Sequence, residues 1–356
     1  MKKFTLFLSL LYIALGWAQP PAGYYDPAQG LSGYALKSAL SQIITDSHNP
    51  QAYSTHWSFF EVADVLPNGK VWDIYANCDF TFGTPTNGGN QDVGTGGNVE
   101  CQFFNREHTF PLSWFGNTEP LRSDIIQILP VDKKVNNERG NLPYAMVGTT
   151  AYLSTNGSKR GNSATAGVTG QVFEVIDEYK GDIARIFFYI ATRYENDIAA
   201  WQTLNPDGDK MLDGSSQRVF EQWALDLLYQ WHLQDPVSDK EIARNNLTYT
   251  YQNNRNPFVD NPQWVQQIWS NSLSVTPSVF SEVAIYPNPS RGAITITGVD
   301  QVDEIQLIHV NGQLMMQVKN PSISERQIEL QQLPSGFFIL RLQQGSASST
   351  HKLIVN

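Results

Sequence analysis

The feature that most constrains this chain is a change of hydrophobic period near residue 270. Before it, the clearest pattern is GDIARIFFYIATRYENDIAAW at 181–201, where Ile183, Phe187, Ile190 and Ala191 recur at helical spacing and Arg185 and Glu195 can take a polar side. After it, short runs alternate with period two at 293–297, 304–308, 327–330, 337–342 and 352–355. Turn signals such as Asn311-Gly312 and Pro334-Ser335-Gly336 separate them. Residues 271–282, rich in Ser, Thr, Pro and Val, read as a linker. A chain of 356 residues divided this way is expected to be α+β. A largely helical domain over 19–270 is followed by a small antiparallel β-sandwich over 283–356.

Within the first part, helical spacing predicts helices at 34–45, 217–231 and 239–249, and a helical stretch over 123–135 broken at Pro130. Residues 71–75 and 99–104 have strand composition, the second running into Asn105-Arg106-Glu107-His108, and the Gly- and Asn-rich 81–97 reads as a surface loop. Residues 1–18 carry Lys2 and Lys3, an apolar run from Phe4 to Leu15 and a small-residue site at Ala18, which is the pattern of a cleaved export leader. The run is too short to cross a bilayer, which takes about 20 residues, although an N-terminal anchor is the alternative. The mature chain is therefore expected outside the cytoplasm, secreted or at the cell surface after export through the periplasm. In such a compartment the two cysteines, Cys78 and Cys101, are expected to form a disulfide across the polar loop between them, worth about 3 kcal/mol, with free buried thiols as the alternative.

A net charge of −10 argues against a tight, non-specific nucleic-acid binder but not against phosphodiester chemistry, which needs only a local cleft and a cation. The residues for such chemistry stand side by side at Glu107-His108. A carboxylate offers a hard oxygen to Mg²⁺ or Ca²⁺, and an imidazole can take a proton from water near neutral pH. On a regular strand the two leave opposite faces, so convergence on one phosphate calls for a bend, and Pro111 and the turn at 113–116 lie close by.

The longer string NREHTFPLSWFG at 105–116 resembles the signature of the bacterial endonuclease I family, secreted or periplasmic nucleases on a ββα-metal (His-Me finger) core. The resemblance continues in SDIIQILPVDKKVNNERGN at 123–141, KGDIARIFFYIATRYE at 180–195 and QNNRNPFVDNP at 252–262. It implies that a ββα-metal core is embedded in the helical domain, that Glu107 and Asn136 bind the metal and that His108 is the general base. Pro130, Val135, Arg139 and Asn141 set the register, with Asn137 as the neighbouring alternative to Asn136. The implied cofactor is one Mg²⁺, with Mn²⁺ or Ca²⁺ as substitutes. The implied reaction is hydrolysis of DNA or RNA with little sequence preference.

Of the arginines, Arg122 is expected to meet transition-state charge, and Arg106 and Arg139 to contact substrate phosphate, although Arg139, Arg185 and Arg255 can equally form internal ion pairs. Ile126 stands where the family commonly has a histidine, while Asp124 remains as an acceptor that can buttress the site or start a helix. The remaining histidines read as structural, and the acidic NPDGDKMLDG at 205–214 as a solvated turn rather than a calcium loop.

Tyr286-Pro287-Asn288-Pro289, Gly292, Leu333-Pro334-Ser335-Gly336 and Lys352-Leu353-Ile354-Val355 resemble, in order, the C-terminal sorting domain of type IX secretion substrates, with Phe337-Phe338 a mild departure. That resemblance makes the secretion machinery a partner and the tail an export address. The expected molecule is a monomeric, metal-dependent endonuclease. A non-catalytic surface-binding protein on a decayed nuclease fold is the rival reading, and a phosphodiesterase for another ester is the third.

Overall fold

The computed structural model describes residues 20–273, 283–309, 313–344 and 347–356. The export leader, most of the linker and the Asn311-Gly312 turn expected from the sequence lie outside them. The chain divides into two compact units between Leu273 and Ser274.

The first unit is built around one buried helix. It opens with α1 (Gly33–Asp46), a 3-10 turn at Tyr53–Thr55 and α2 (His56–Ala63). A long irregular stretch leads to an antiparallel hairpin of β1 (Phe104–His108) and β2 (Ile128–Asp132), followed at once by α3 (Lys133–Arg139). A three-stranded sheet of β3 (Val147–Leu153), β4 (Lys159–Ser163) and β5 (Gln171–Glu174) comes next. The central α4 (Lys180–Arg193) then leads to α5 (Gln222–Gln234), α6 (Asp239–Gln252), α7 (Pro257–Asp260) and α8 (Gln263–Trp269).

Every residue of α4 is buried, so the helix has no polar side of the kind the sequence suggested for Arg185. Its charges are instead neutralised inside: Arg185 grips Glu241 of α6 through Nη2 at 2.6 Å, and Arg193 meets Asp124. The expected helix over 123–135 also gives way. Asp124 starts a single 3-10 turn at Ile125–Gln127, after which the β-branched, proline-containing ILPVD is extended as β2. Pro130 would remove a bond and clash inside a helix. It is tolerated in β2 because the strand pairs on one side only, with Pro130 opposite Arg106. Residues 71–75 do not form the expected strand and make only an isolated bridge, Val65 with Val71.

Two elements show how sequence ends a helix or fixes its chemistry. Asp132 caps α3 by accepting from the Val135 amide at 2.9 Å, and Gly140, with φ of 55°, closes it. In α5, His232 is buried and its Nε2–H donates to the Pro262 carbonyl at 3.0 Å. Burial, with Arg185 adding to it, pulls its pKa down to about 4, against the weaker pull of that hydrogen bond. The unfolded chain takes up a proton near pH 6.5 while the folded chain stays neutral to about pH 4. This stabilisation is therefore full above pH 6.5 and is lost as the pH falls towards 4. We expect acidification from pH 7 to 5 to cost about 2 kcal/mol through this residue. Urea unfolding of His232→Gln should show a pH 7-to-5 difference smaller by about that amount, and an unchanged difference would refute the assignment.

The second unit is a sandwich of two antiparallel sheets. A three-stranded sheet holds β6 (Ala284–Tyr286), β7 (Ile294–Thr297) and β10 (Gln327–Leu330), with β7 central. A four-stranded sheet runs β12 (Ala347–Val355), β11 (Gly336–Gln344), β8 (Glu304–His309), β9 (Leu314–Lys319). Period-two alternation sends Ile294, Ile296, Ile328 and Leu330 of one sheet and Ile305, Leu307, Phe338 and Leu340 of the other into one core. The same alternation leaves Phe337 exposed beside buried Phe338. The fold class is α+β, as the change of period implied.

Candidate active site

The ββα unit of β1, β2 and α3 carries most of the residues singled out from the sequence. Successive side chains of β1 leave opposite faces, and the contacts sort them accordingly. Asn105 and Glu107 meet α3. Asn136 donates from Nδ2 to Asn105 Oδ1 at 2.8 Å, and one turn later Arg139 Nη1 lies 3.3 Å from Glu107 Oε1. Asn137, the alternative to Asn136, is exposed. Arg106 and His108 take the other face, where both pack on Tyr53. The strand therefore stays regular through Glu107-His108, without the bend expected to bring them together.

Glu107 is 3% exposed. Its Oε1 accepts from the Tyr75 hydroxyl at 2.8 Å and faces Arg139, and among the described residues no donor reaches Oε2. Burial raises its pKa, while Arg139 and the Tyr75 hydrogen bond oppose the rise. Tyr75 is itself bonded to Tyr144, so the carboxylate stands at the end of a buried polar chain that fixes its orientation. Because the amide nitrogen of Asn136 is spent on Asn105, the group it can offer outward is its carbonyl oxygen. A carboxylate oxygen and an amide oxygen from the same side of the hairpin suit a hard cation. Among the described residues no group of three or more His, Cys, Asp or Glu gathers to hold an ion. A cation at Glu107 and Asn136 would thus keep most of its shell for water or phosphate.

His108 is 6% exposed, and its Nε2 lies 2.9 Å from the carbonyl oxygen of Arg122. A carbonyl only accepts, so Nε2 carries the hydrogen and Nδ1 the lone pair. Burial pulls the imidazole pKa down to about 4; the Arg122 carbonyl pulls it up, and Arg106, Arg122 and Arg139 push it further down. The ring is neutral at pH 7, in the protonation state a base needs. The next carbonyl, that of Ser123, accepts from His56 Nε2 at 3.1 Å, so neighbouring peptide groups of one 3-10 turn hold two imidazoles.

The arginines divide. Arg122 pairs with Glu119 at 3.2 Å with its side chain 38% exposed, and its guanidinium lies against the Tyr53 ring. Arg106 is half-buried, donates to the Tyr53 carbonyl at 2.7 Å and lies over the Tyr53 and Trp57 rings. Arg139, expected to contact phosphate, is 1% exposed and spends its guanidinium on Glu107 and on the carbonyls of His108, Thr109 and Gly140. It braces the carboxylate from inside and cannot reach substrate. Arg185 and Arg255 form internal pairs, the latter with Asp260 at 2.6 Å. Asp124 is fully buried: it accepts from the Ile126 amide as a cap and also from Tyr189, Tyr194, Arg193 and Gln252. Ile126, at the position where the resemblance led one to expect a histidine, lies in the main core with Leu129 and Ile186. The Cys78–Cys101 disulfide is formed, with Cα atoms 5.2 Å apart. The Cys101 amide donates to Asp132 at 2.7 Å, which ties the bridged loop to the cap of α3.

Sequence reasoning missed Tyr53 and Tyr75, the two rings that hold His108 and Glu107. Neither sits in a motif that points to chemistry, although Tyr75 ends the strand-like 71–75, and only the fold brings them to β1.

Comparison with known proteins identifies the family. Residues 32–263 match the family described as Endonuclease I, and residues 284–356 match the secretion system C-terminal sorting domain. The extracellular ribonuclease of Bacillus subtilis (strain 168) is 35% identical over 252 residues, 69% of this chain and 78% of that protein, and the extracellular ribonuclease of Bacillus amyloliquefaciens is similar to the same extent. A match of this length, over a ββα unit that holds the Glu-His pair, shows that the chain belongs to the endonuclease I family, as a secreted nuclease with a C-terminal sorting domain.

Proposed function

We propose that the protein is a metal-dependent endonuclease that hydrolyses RNA, DNA or both, with His108 as general base and Glu107 and Asn136 as the holders of a single divalent ion such as Mg²⁺. The observation that carries this reading is the hydrogen bond from His108 Nε2 to the Arg122 carbonyl, which leaves Nδ1 as a neutral acceptor one residue along β1 from the Glu107 carboxylate. Nδ1 takes the proton as a water oxygen forms a bond to phosphorus and the bond to the 3′ oxygen breaks. Arg122 approaches the charge that develops on the phosphate, and Arg106, fixed on Tyr53 and Trp57, supplies a second positive group on the same face. The bound ion would add positive charge for the phosphate and the departing oxygen. Two arginines close to His108, Arg106 and Arg122, would let a chain of net charge −10 still attract a phosphodiester locally. RNA is a substrate to test first, because both similar curated proteins are named ribonucleases.

The rest of the chain fits export. Residues 1–18 serve as a leader into the periplasm, 19–270 as the catalytic domain of a monomer, 271–282 as a linker, and 283–356 as the address read by the type IX machinery. No helix among the described residues is long and apolar enough to cross a membrane. With Mg²⁺ replaced by EDTA, cleavage of total RNA and plasmid DNA on gels is expected to stop, as it must if two protein oxygens hold the ion, and to return with excess Mg²⁺. Undiminished cleavage in EDTA would overturn the metal assignment.

A further inference from the structure

Tyr53 occupies an unusual position. It is half-buried on the 3-10 turn before α2, distant in sequence from the Glu-His strand. Its ring lies nearly parallel to the His108 imidazole, at an interplanar angle of 21° with centroids 5.6 Å apart. The Arg106 guanidinium carbon sits 3.6 Å from its centroid and that of Arg122 4.7 Å. Its carbonyl accepts from Arg106 Nη1. One residue thus touches the base and both of the cations assigned to the phosphate.

Arg106 and His108 are two apart on β1 and leave the same face about 7 Å from each other. An aromatic ring packed against both acts as a spacer that limits rotation of the imidazole about its Cβ–Cγ bond. The Arg122 carbonyl fixes the ring at one end, through Nε2, but a single hydrogen bond leaves the ring free to pivot about it. Stacking removes that freedom. The ring also holds two like-charged guanidinium groups near one another, since each is attracted to the π face. With these three groups already on it, the ring has little surface to offer a nucleobase, so we argue against a stacking platform for substrate.

Resting on the assignment of His108 as general base, we propose that Tyr53 is a positioning residue of the nuclease site, whose ring orients the His108 imidazole and gathers Arg106 and Arg122 beside the scissile phosphate. The ring is the working part, because the hydroxyl has no role in these contacts.

Steady-state cleavage of an RNA oligonucleotide by the full chain with Mg²⁺ tests this with Tyr53→Phe, Tyr53→Leu and Tyr53→Ala, each checked by thermal melting. Tyr53→Phe should stay within about threefold of wild type. Tyr53→Leu and Tyr53→Ala should lose kcat by roughly 10- to 100-fold, the scale of a misplaced base, with KM changed by less than about threefold. Loss of KM alone would identify Tyr53 as a substrate contact and overturn the proposal, as would full activity of Tyr53→Leu or a Phe variant as poor as the Ala variant. Should the Ala variant melt early, the Leu variant, which keeps apolar packing, decides. His108→Ala, run alongside, separates the two levels of inference. Wild-type turnover in that variant sinks the assignment of the base itself, whereas its inactivity beside an unaffected Tyr53→Leu sinks only the role of Tyr53.

Discussion

His108→Ala is expected to retain its fold and lose turnover on RNA or DNA by about 10³-fold, within the roughly 10²- to 10⁴-fold span of general acid–base catalysis. No neighbouring group can take over. The nearest second imidazole, His56, is fully buried, donates from Nε2 to the Ser123 carbonyl, and has its Nδ1 enclosed without a partner. Burial, reinforced by Arg106, pulls its pKa down to about 4, and it lies behind Tyr53 at 5.1 Å between ring centroids. Glu107 cannot serve either, because Tyr75 and Arg139 hold it on the opposite face of β1. Removal of the buried His108 ring costs its packing against Tyr53 and one hydrogen bond to a carbonyl, the bond worth about 1 kcal/mol. Single-turnover cleavage with saturating Mg²⁺, together with a thermal melt, measures both quantities. A folded variant within tenfold of wild type would remove His108 from the chemistry.

The candidate site residues singled out in the sequence are those carried by the resemblance to a family motif. The Glu-His pair, the amide four residues into the segment after Asp132, and the acidic residue at 124 are fixed by motif and register along short stretches of chain. The period-two pattern likewise foretells the sandwich core, since alternation at Ile294 to Thr297 and Phe337 to Leu342 decides which side chains are buried. What stayed hidden depends on contacts far apart in sequence. Tyr75 reaches Glu107 across 32 residues and Tyr53 reaches Arg106 across 53. The inward turn of Arg139 follows from the way α3 crosses β1, and no pattern within KKVNNER distinguishes a buried arginine from a solvent-facing one. The β3–β4 hairpin was missed although Asn156-Gly157 is a recognisable turn signal between its strands. β3 is mostly exposed and β4 largely half-buried and polar, so the alternation that marks β7 and β11 is absent.

Asp124→Ala is expected to destabilise the first unit by about 3–5 kcal/mol, because it strands a buried guanidinium without its counter-charge. Asp124 has no solvent exposure and the Arg193 side chain 2%. Burial by itself would raise the carboxyl pKa. Arg193, followed by His48 and by hydrogen bonds from Gln252 and Tyr189, instead holds it below the ordinary range, so the group is an anion in the folded protein. Arg193 already leaves its Nε without a partner, and among the described residues Asp124 is the acid paired with it. For a unit of this size each kcal/mol lowers Tm by about 2–4 °C, so the Ala variant should melt roughly 10 °C early. Asp124→Asn keeps the shape and acceptor of the cap at Ile126 but not the charge, and should fall between. If the Ala variant melts within 2 °C of wild type, the charge of Arg193 does not depend on Asp124. The consequence reaches the chemistry through the backbone. Asp124 follows directly on the turn whose Arg122 and Ser123 carbonyls hold His108 and His56, and its side chain fastens that turn to α4 and α6. Below its own melting temperature the Ala variant should therefore lose kcat as well, while a purely structural Asp124 would leave the kcat of the folded fraction untouched. A core helix with every residue buried can in this way set the orientation of an imidazole that it never touches.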